Sequence, residues 1–141
     1  MTAHPTQTGL LDTSTLIQLT RLDAATLPSH PSICTITLAE LSVGPLVAGD
    51  EPTRAARQAH LQQAEADFDP IPFDAAAARA FGHMAASLRG SGRKPAARAY
   101  DALIAAVALA HDLPLYTANP KDFTGIDRLQ VRPVLPADSQ R

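Results

Sequence analysis

Four carboxylates in this sequence interrupt or close segments that are otherwise apolar, and a carboxylate in such a place needs a partner. They are Asp12, Glu40, Asp101 and Asp122. Few cationic side chains stand beside them, so a divalent metal ion with oxygen ligands is the partner that could hold several of these anions together. Oxygen ligands without a His or Cys cluster favour Mg²⁺, with Mn²⁺ as the alternative, over zinc. The sequence therefore predicts metal chemistry at these acids.

Other common catalytic patterns are absent from the sequence. Its five histidines are scattered without the spacing of metal ligands. There is no GxSxG nucleophile elbow, Walker loop or dinucleotide fingerprint. A haloacid-dehalogenase-like phosphatase would need a second Asp two positions after Asp12, where this chain has Ser14. These observations argue against a serine hydrolase, a P-loop or dinucleotide-binding protein and that class of phosphatase.

Each of the four acids also has an ordinary structural interpretation. Asp12 can cap a helix. Glu40 fits a capping box that begins at Thr37, in which the glutamate reaches back to the backbone of the cap. Asp122 can form a turn. Asp101 is harder to explain in this way, because burying an ionised and unpaired carboxylate costs several kcal/mol. Its one obvious neighbour in sequence is Arg98.

The elements that position these acids alternate between short strands and helices, which predicts an α/β fold. The strands are expected at Gly9 to Asp12, Ile33 to Ile36, Leu115 to Thr117 and, at an edge, Gln130 to Val134, with a short extended piece at Ile71 to Phe73. The helices are expected from Thr13 to about Asp23, from Thr37 towards Gly49, from Thr53 to Ala66, from an Asp74 cap to Leu88, and from Pro95 to His111. Strands that alternate with helices are usually parallel, and such sheets place their sites at the C-terminal ends of the strands.

The composition indicates one globular domain. The chain has 141 residues, of which 45% are hydrophobic and 18% charged. We expect a single domain over 1–141, with a core from about 9 to 134 and a loose tail over 135–141. No apolar run reaches the roughly 20 residues needed to span a bilayer. The absence of a signal-peptide pattern in 1–8 and the single cysteine, Cys34, predict a cytoplasmic protein whose thiol is buried in the core.

The charge pattern offers one candidate contact for a polyanion. The formal net charge of −2 gives no general attraction to nucleic acid. A local basic cluster surrounds Gly90 to Gly92 and comprises Arg89, Arg93, Lys94 and Arg98. A solvated loop and a phosphate contact are both compatible with this cluster.

Four short motifs, each around one of the acids, together resemble a known family. They are Leu10 to Ser14, Thr37 to Leu41, Tyr100 to Ala106 and Thr117 to Phe123. In this order and at these spacings they resemble the PIN-domain ribonucleases, specifically the VapC-type toxins of bacterial toxin-antitoxin pairs. The similarity implies a PIN-like α/β domain with a central parallel sheet of four to five strands flanked by helices.

The resemblance also implies roles for the motif residues. The four acids would form the catalytic, Mg²⁺-binding cluster, with Asp12 and Asp101 as the first metal ligands and Asp122 or Asn119 at the most variable position. Supporting polar residues would be Asn119, Ser14 and Thr13, the latter two orienting Asp12 or a water. Contacts to the RNA backbone would come from Arg93, Lys94 and Arg98.

An endoribonuclease activity follows from the same resemblance. A metal-activated water would cleave cellular RNA, with tRNA or rRNA as the expected substrate, and leave 5′-phosphate and 3′-hydroxyl ends. A cognate VapB-type antitoxin would cover the acidic groove, and the toxin would form a homodimer and a larger assembly with the antitoxin. Two alternatives remain open, a non-catalytic PIN-fold binding module and a metal-dependent DNA nuclease.

Overall fold

The chain forms four strands and five helices in the part that the computed structural model describes, residues 7–90 and 99–138. The strands are β1 Thr8–Leu11, β2 His30–Ser32, β3 Leu115–Thr117 and β4 Val131–Pro133. The helices are α1 Thr13–Ile17, α2 Thr35–Val43, α3 Glu51–Asp67, α4 Ala75–Gly90 and α5 Ala99–Ala110. No helix within these residues combines the length and apolarity needed to cross a membrane.

The four strands form one parallel sheet in the order β2-β1-β3-β4. Leu11 of β1 pairs with Tyr116 of β3, so the residues that follow these two positions meet at the C-terminal edge of the sheet. The predicted α/β fold with a parallel sheet of four to five strands is confirmed, with four strands among the described residues. The strand predicted at the chain's end is also confirmed, as the edge strand β4.

Two hydrophobic layers cover the two faces of the sheet, and they follow the alternation of side chains along β1. Leu10 packs with the apolar faces of α4 and α5. Leu11 points to the other face, where it packs with Leu41 of α2 and Ala64 of α3. The apolar run in α5 predicts an interior helix, and Ile104 to Ala108 are indeed buried.

The strand predicted at Ile33 to Ile36 was wrong by about three residues. β2 ends at Ser32, Cys34 makes only a single parallel bridge with Ile71, and α2 begins at Thr35. β2 lies at an edge of the sheet, where proline is tolerated because one side of the strand needs no ladder hydrogen bonds. The predicted buried position of Cys34 is confirmed, since its residue is 0% exposed.

The helix predicted from Thr13 to Asp23 is shorter than expected. α1 ends at Ile17 and a 3₁₀ turn follows at Leu19–Arg21. The backbone of Arg21 accepts a hydrogen bond from Ala137, 2.9 Å away. The end of the chain, expected to be loose from residue 135, is therefore attached to this turn as far as Ala137.

Two acids cap the starts of α3 and α4, as the sequence predicts. Asp50 accepts a hydrogen bond from the backbone N–H of Thr53 at the start of α3, at 2.8 Å. Asp74 accepts one from the N–H of Ala77 at the start of α4, at 3.0 Å. Each carboxylate thereby satisfies a backbone donor that has no partner inside its helix.

Candidate active site

Asp12 lies at the junction of β1 and α1, and its two carboxylate oxygens have different partners. Oδ1 accepts a hydrogen bond from the backbone N–H of Thr15, at 3.1 Å, which caps α1. Oδ2 accepts one from the hydroxyl of Thr117, at 2.7 Å. The residue is only 3% exposed. Asp12 is therefore a helix cap, and the same carboxylate faces the end of the neighbouring strand.

Thr117 brings the end of β3 onto Asp12. Its residue is fully buried, and its hydroxyl oxygen also accepts a hydrogen bond from the backbone N–H of Asn119, at 2.9 Å. One hydroxyl thus holds both the carboxylate and the turn that follows β3. Thr117 lies in one of the four sequence motifs, but the sequence predicts no role for it. A threonine at the end of an apolar strand, opposite another strand's terminal acid, is the signal that could have identified it.

Glu40 does not form the capping box that its sequence allows. α2 begins two residues earlier than expected, with Cys34 in the cap position, so Glu40 is well inside the helix. Its Oε1 lies 2.5 Å from the hydroxyl of Thr13, the first residue of α1. The capping-box interpretation is therefore wrong, because the side chain of Glu40 reaches a different element.

The turn after β3 is attached to α1 by two further hydrogen bonds. The side-chain amide of Asn119 donates to the hydroxyl of Ser14, at 3.1 Å, and the backbone N–H of Ala118 donates to the hydroxyl of Thr15, at 3.0 Å. The predicted supporting residues Asn119 and Ser14 therefore contact each other. Asp122 is half-buried in the 3₁₀ turn that follows, and its backbone N–H donates to the carbonyl of Asn119.

Asp101 lies in the first turn of α5 and is half-buried. Only four residues separate the end of α5 from the start of β3. α5 therefore runs back along the sheet, and its first turn lies towards the edge at which β1 and β3 end. α5 also contacts α2, which carries Glu40.

The described side chains do not form a closed set of metal ligands. Within residues 7–90 and 99–138, no three side chains of His, Cys, Asp or Glu are close enough together to hold a metal ion. Carboxylates repel one another without a cation between them. Asp12 and Glu40 accept hydrogen bonds from hydroxyl and amide groups in this arrangement, and the four-acid site stays a prediction. The predicted RNA contacts Arg93, Lys94 and Arg98 lie outside the described residues.

The carboxylate oxygens at this edge of the sheet are nevertheless the kind of ligand that a hard cation binds. Asp12 and Glu40 present carboxylate oxygens, and each retains lone pairs beyond the hydrogen bonds that it accepts. Within the described residues, their hydrogen-bond partners are hydroxyl and backbone N–H groups, so no Lys or Arg among these partners neutralises the two anions. Oxygen ligands of this kind are those that Mg²⁺ and Mn²⁺ prefer.

A groove beside Glu40 extends between α1, α2 and α3. It has a volume of about 610 Å³, and its polar lining comprises Thr13, Glu40, Thr53, Arg57 and His60. The apolar lining comprises Ile17, Leu41, Pro52 and Ala56. A second depression of about 550 Å³ shares Ile17, Leu41 and His60 with the first, so the two form a continuous surface. We call this surface the α1–α3 groove.

Burial perturbs one thiol near this network. Desolvation raises the pKa of Cys34, and hydrogen bonds with Thr37 and Ile36 oppose the shift only in part. Cys34 therefore stays a protonated thiol at neutral pH. It is a core residue that contacts Thr37, and as a buried, protonated thiol it is a poor nucleophile.

Known proteins resemble this chain along most of its length. The family model of the PIN domain matches residues 10–129. Ribonuclease VapC5 of Mycobacterium tuberculosis is 39% identical over 122 residues, which cover 84% of this chain and 87% of that protein. Ribonuclease VapC8 of the same species is 37% identical over 109 residues, which cover 77% of this chain and 96% of that protein.

The fold also matches a solved structure. The crystal structure of VapBC-5, a member of the VapBC family of toxin-antitoxin systems from Mycobacterium tuberculosis, aligns with a TM-score of 0.80 and 37% sequence identity. The alignment covers 92% of this chain and 99% of the other. The motifs, the order of the strands and these similarities agree, and the chain belongs to the PIN-domain family and, within it, to the VapC-type proteins.

Proposed function

We propose that this protein is the toxin of a VapBC-type pair, a metal-dependent endoribonuclease on a single PIN domain that a cognate VapB-type antitoxin neutralises. The observation that carries the proposal is Asp12, a carboxylate held at the C-terminal edge of the sheet by Thr15 and Thr117, with no cation among these partners. The two relatives of the protein described above are named ribonucleases, and the matched solved structure is of a toxin-antitoxin system.

Four carboxylates would hold the metal ion. We assign Asp12 and Asp101 as the first ligands, with Glu40 and Asp122 completing the set. A bound divalent cation, Mg²⁺ or Mn²⁺, supplies charge that polarises the scissile phosphate and lowers the pKa of the attacking water. The acids themselves orient the reacting groups, and the buried hydrogen bonds of Asp12 keep that carboxylate from turning away. Hydrolysis by water leaves 5′-phosphate and 3′-hydroxyl ends.

Single-stranded or loop RNA is the expected substrate, because sequence-specific recognition of RNA favours exposed bases. The predicted contacts to its phosphates remain Arg93, Lys94 and Arg98. Water as the nucleophile does not require a ribose 2′-hydroxyl, so a DNA nuclease stays the alternative that needs a direct comparison.

The antitoxin would bind in the α1–α3 groove. The groove combines apolar side chains with Glu40 and Arg57, so one ligand can occupy it and contact the carboxylate of Glu40 at the same time. An amphipathic segment with Arg or Lys beside its apolar face complements this lining, since a guanidinium or ammonium group pairs with a carboxylate. We also propose that the toxin forms a homodimer, which light scattering of the antitoxin-free protein would test.

Cleavage of RNA by the purified, antitoxin-free protein tests the activity. Total cellular RNA and a matched single-stranded DNA would be incubated with Mg²⁺ or with EDTA, using the wild type, Asp12→Asn and Asp101→Asn. Asp127→Asn, a change at an exposed acid outside the proposed site, is the control. We expect discrete RNA cuts with 5′-phosphate ends that need the metal and both acids.

The outcomes separate the proposal from its alternatives. Cleavage of DNA alone would favour a DNA nuclease. A folded wild-type protein that cuts neither nucleic acid in Mg²⁺ or Mn²⁺, but still binds its antitoxin, would favour the non-catalytic binding module.

A further inference from the structure

The hydroxyl of Thr13 lies between two side chains of α2. It is 3.0 Å from the hydroxyl oxygen of Thr37 and 2.5 Å from Oε1 of Glu40. Thr37 and Glu40 are three residues apart and therefore on the same face of the helix. Thr13 is the first residue of α1 and follows Asp12 directly. One hydroxyl thus connects α1 with two positions on α2.

The number of protons gives these hydrogen bonds a direction. A hydroxyl carries one proton, and an ionised carboxylate can only accept. The proton of Thr13 therefore points to Glu40, and the contact between the two threonines is donated by Thr37. Thr37 also contacts Cys34, and the larger part of that interaction comes from the backbone N–H of Thr37 and not from its hydroxyl. The hydroxyl proton of Thr37 is then available for Thr13.

This chain of hydroxyls runs from the core to the proposed site. Thr37 is 0% exposed, Thr13 is half-buried and Glu40 is half-buried. Hydrogen bonds in such a chain polarise one another, and a low local dielectric strengthens them. The long side chain of Glu40 would otherwise sample several rotamers and lose that freedom on binding a cation.

We propose that Thr37 and Thr13 form a directed hydrogen-bond chain that positions the carboxylate of Glu40 for cation binding. Thr13 is then a positioning residue for Glu40, and neither threonine is a metal ligand. The inference rests on the proposed function for the cation, but the hydrogen-bond chain itself can be tested without it.

Binding of Mn²⁺ to the purified chain, measured by calorimetry and by electron paramagnetic resonance, is the first test. Loss of a residue that orients a ligand typically weakens metal binding by about 10–100-fold. We expect a loss of this size for Thr13→Val, a smaller loss for Thr37→Val, and near wild-type affinity for Thr13→Ser, which keeps the hydroxyl. Thr8→Val, at an exposed threonine at the opposite end of β1 from Asp12, is the matched control. Unchanged affinity in a folded Thr13→Val protein would overturn the proposal.

A double-mutant cycle tests the hydrogen-bond chain in the absence of any metal. Thr13→Val and Glu40→Ala would be compared with the double variant by urea denaturation. We expect non-additive effects, because each single change breaks the same hydrogen bond. Strictly additive effects would refute the hydrogen-bond chain even if the enzyme cleaves RNA. Conversely, wild-type protein that binds no Mn²⁺ would count against the proposed function. The double-mutant cycle would still show whether Thr13 and Glu40 are coupled by the hydrogen bond. If Thr13→Val does not fold, Thr13→Ala and Thr37→Val repeat both measurements.

Discussion

Threonine hydroxyls contact both Asp12, at the start of α1, and Glu40, on α2. This choice of partner has a consequence for the charge of the two acids. A hydroxyl orients a carboxylate without neutralising it, whereas a Lys or Arg in the same place would compete with a cation. Asp12 receives its hydroxyl contact from Thr117, and Glu40 from Thr13. The two carboxylates are therefore fixed in direction while they keep their negative charge for a ligand.

Removal of the Thr117 hydroxyl should destabilise the fold as well as the site. In Thr117→Val a buried carboxylate oxygen and the backbone N–H of Asn119 both lose a partner, which we expect to cost about 1–3 kcal/mol. Urea denaturation would measure the loss. Thr117→Ser keeps the hydroxyl and should be close to the wild type. Equal stability of the Val variant and the wild type would mean that water replaces the hydroxyl at no cost.

Among the described residues, Tyr100 is the one exposed aromatic side chain and the candidate for stacking on a base of the proposed RNA substrate. All six aromatic residues lie in the described part of the chain, and the other five are buried or half-buried. Tyr100 is 53% exposed and stands next to Asp101. Base stacking contributes about 1–3 kcal/mol per base, so Tyr100→Ala should weaken binding of a short single-stranded RNA by a corresponding factor.

Fluorescence anisotropy in an Asp12→Asn background, which prevents cleavage, would measure this binding. Tyr100→Phe retains the ring and should bind as the parent does. An equal loss in Tyr100→Phe would show that the phenol oxygen, and not stacking, makes the contact.

At the scale of elements, the close approach of β1 and β3 depends on a residue without a side chain. A Cβ atom on Gly9 would lie 2.3 Å from Cε1 of Tyr116. The ring of Tyr116 packs in the layer formed with α2 and α3, and its hydroxyl donates to Gln7, at 2.8 Å. β1 therefore needs glycine where the neighbouring strand's aromatic ring crosses it.

Gly9→Ala should destabilise the protein by about 1–3 kcal/mol, because the ring must move from its packed position. Thermal unfolding would show the loss as a lower Tm. The matched control is Gly82→Ala in α4, where an added Cβ has no neighbour within 4 Å. That change should instead stabilise by about 0.5–1 kcal/mol, since alanine favours helix. A Gly9→Ala protein as stable as the wild type would mean that Tyr116 has room to adjust.

The start of α3 should make stability depend on pH in the acid range. Hydrogen bonds from Thr53, chiefly from its backbone N–H, hold the pKa of Asp50 below its usual value of 3.8. Because the folded pKa is the lower one, the ionised cap contributes stability that is complete above the unfolded pKa. That contribution is lost as the pH falls through the folded pKa.

Asp50→Ala should therefore lower the Tm at neutral pH, and the difference from the wild type should shrink towards about pH 2. Calorimetry at several pH values would measure both. Asn is also a good cap but does not titrate, so Asp50→Asn should show only a weak pH dependence. A wild-type advantage over Asp50→Ala that persists unchanged in acid would contradict this account of the cap.

For the whole molecule, the α1–α3 groove is the surface at which the proposed active site and the proposed antitoxin contact meet. Ile17 is 42% exposed and lines both depressions that form the groove. An apolar side chain so placed is expected at the centre of a contact with an amphipathic segment. The groove is created by the packing of α3 onto α2 and is not visible in the sequence of either helix.

Ile17→Lys should weaken binding of the antitoxin by tenfold or more, equivalent to at least about 1.4 kcal/mol, because it places a charge in the apolar contact. Calorimetric titration of the toxin with its antitoxin would measure the affinity, and circular dichroism would check the fold. Leu135→Lys alters another exposed apolar side chain, outside the groove, and is the control. Equal affinities of the two variants would place the antitoxin on a different surface.

The sequence by itself determined the family and the main architecture of this protein. The acids and their motifs predicted a VapC-type PIN protein, and the apolar run in α5 and the acids before α3 and α4 predicted local structure correctly. These features depend on residues that are close together in sequence, so capping residues and side-chain periodicity can be recognised without the tertiary structure. The burial of Cys34 followed in the same way from its apolar surroundings.

Only the tertiary structure decided what the acids contact. Thr117 is 105 residues from Asp12, and Thr13 is 27 residues from Glu40, so no local pattern could reveal either pair. The start of α2 was equally hidden, because Ile33 and Cys34 are buried in the core beside the sheet instead of extending β2. Burial in the assembled core, and not local propensity, fixed that boundary, and with it the direction in which Glu40 points.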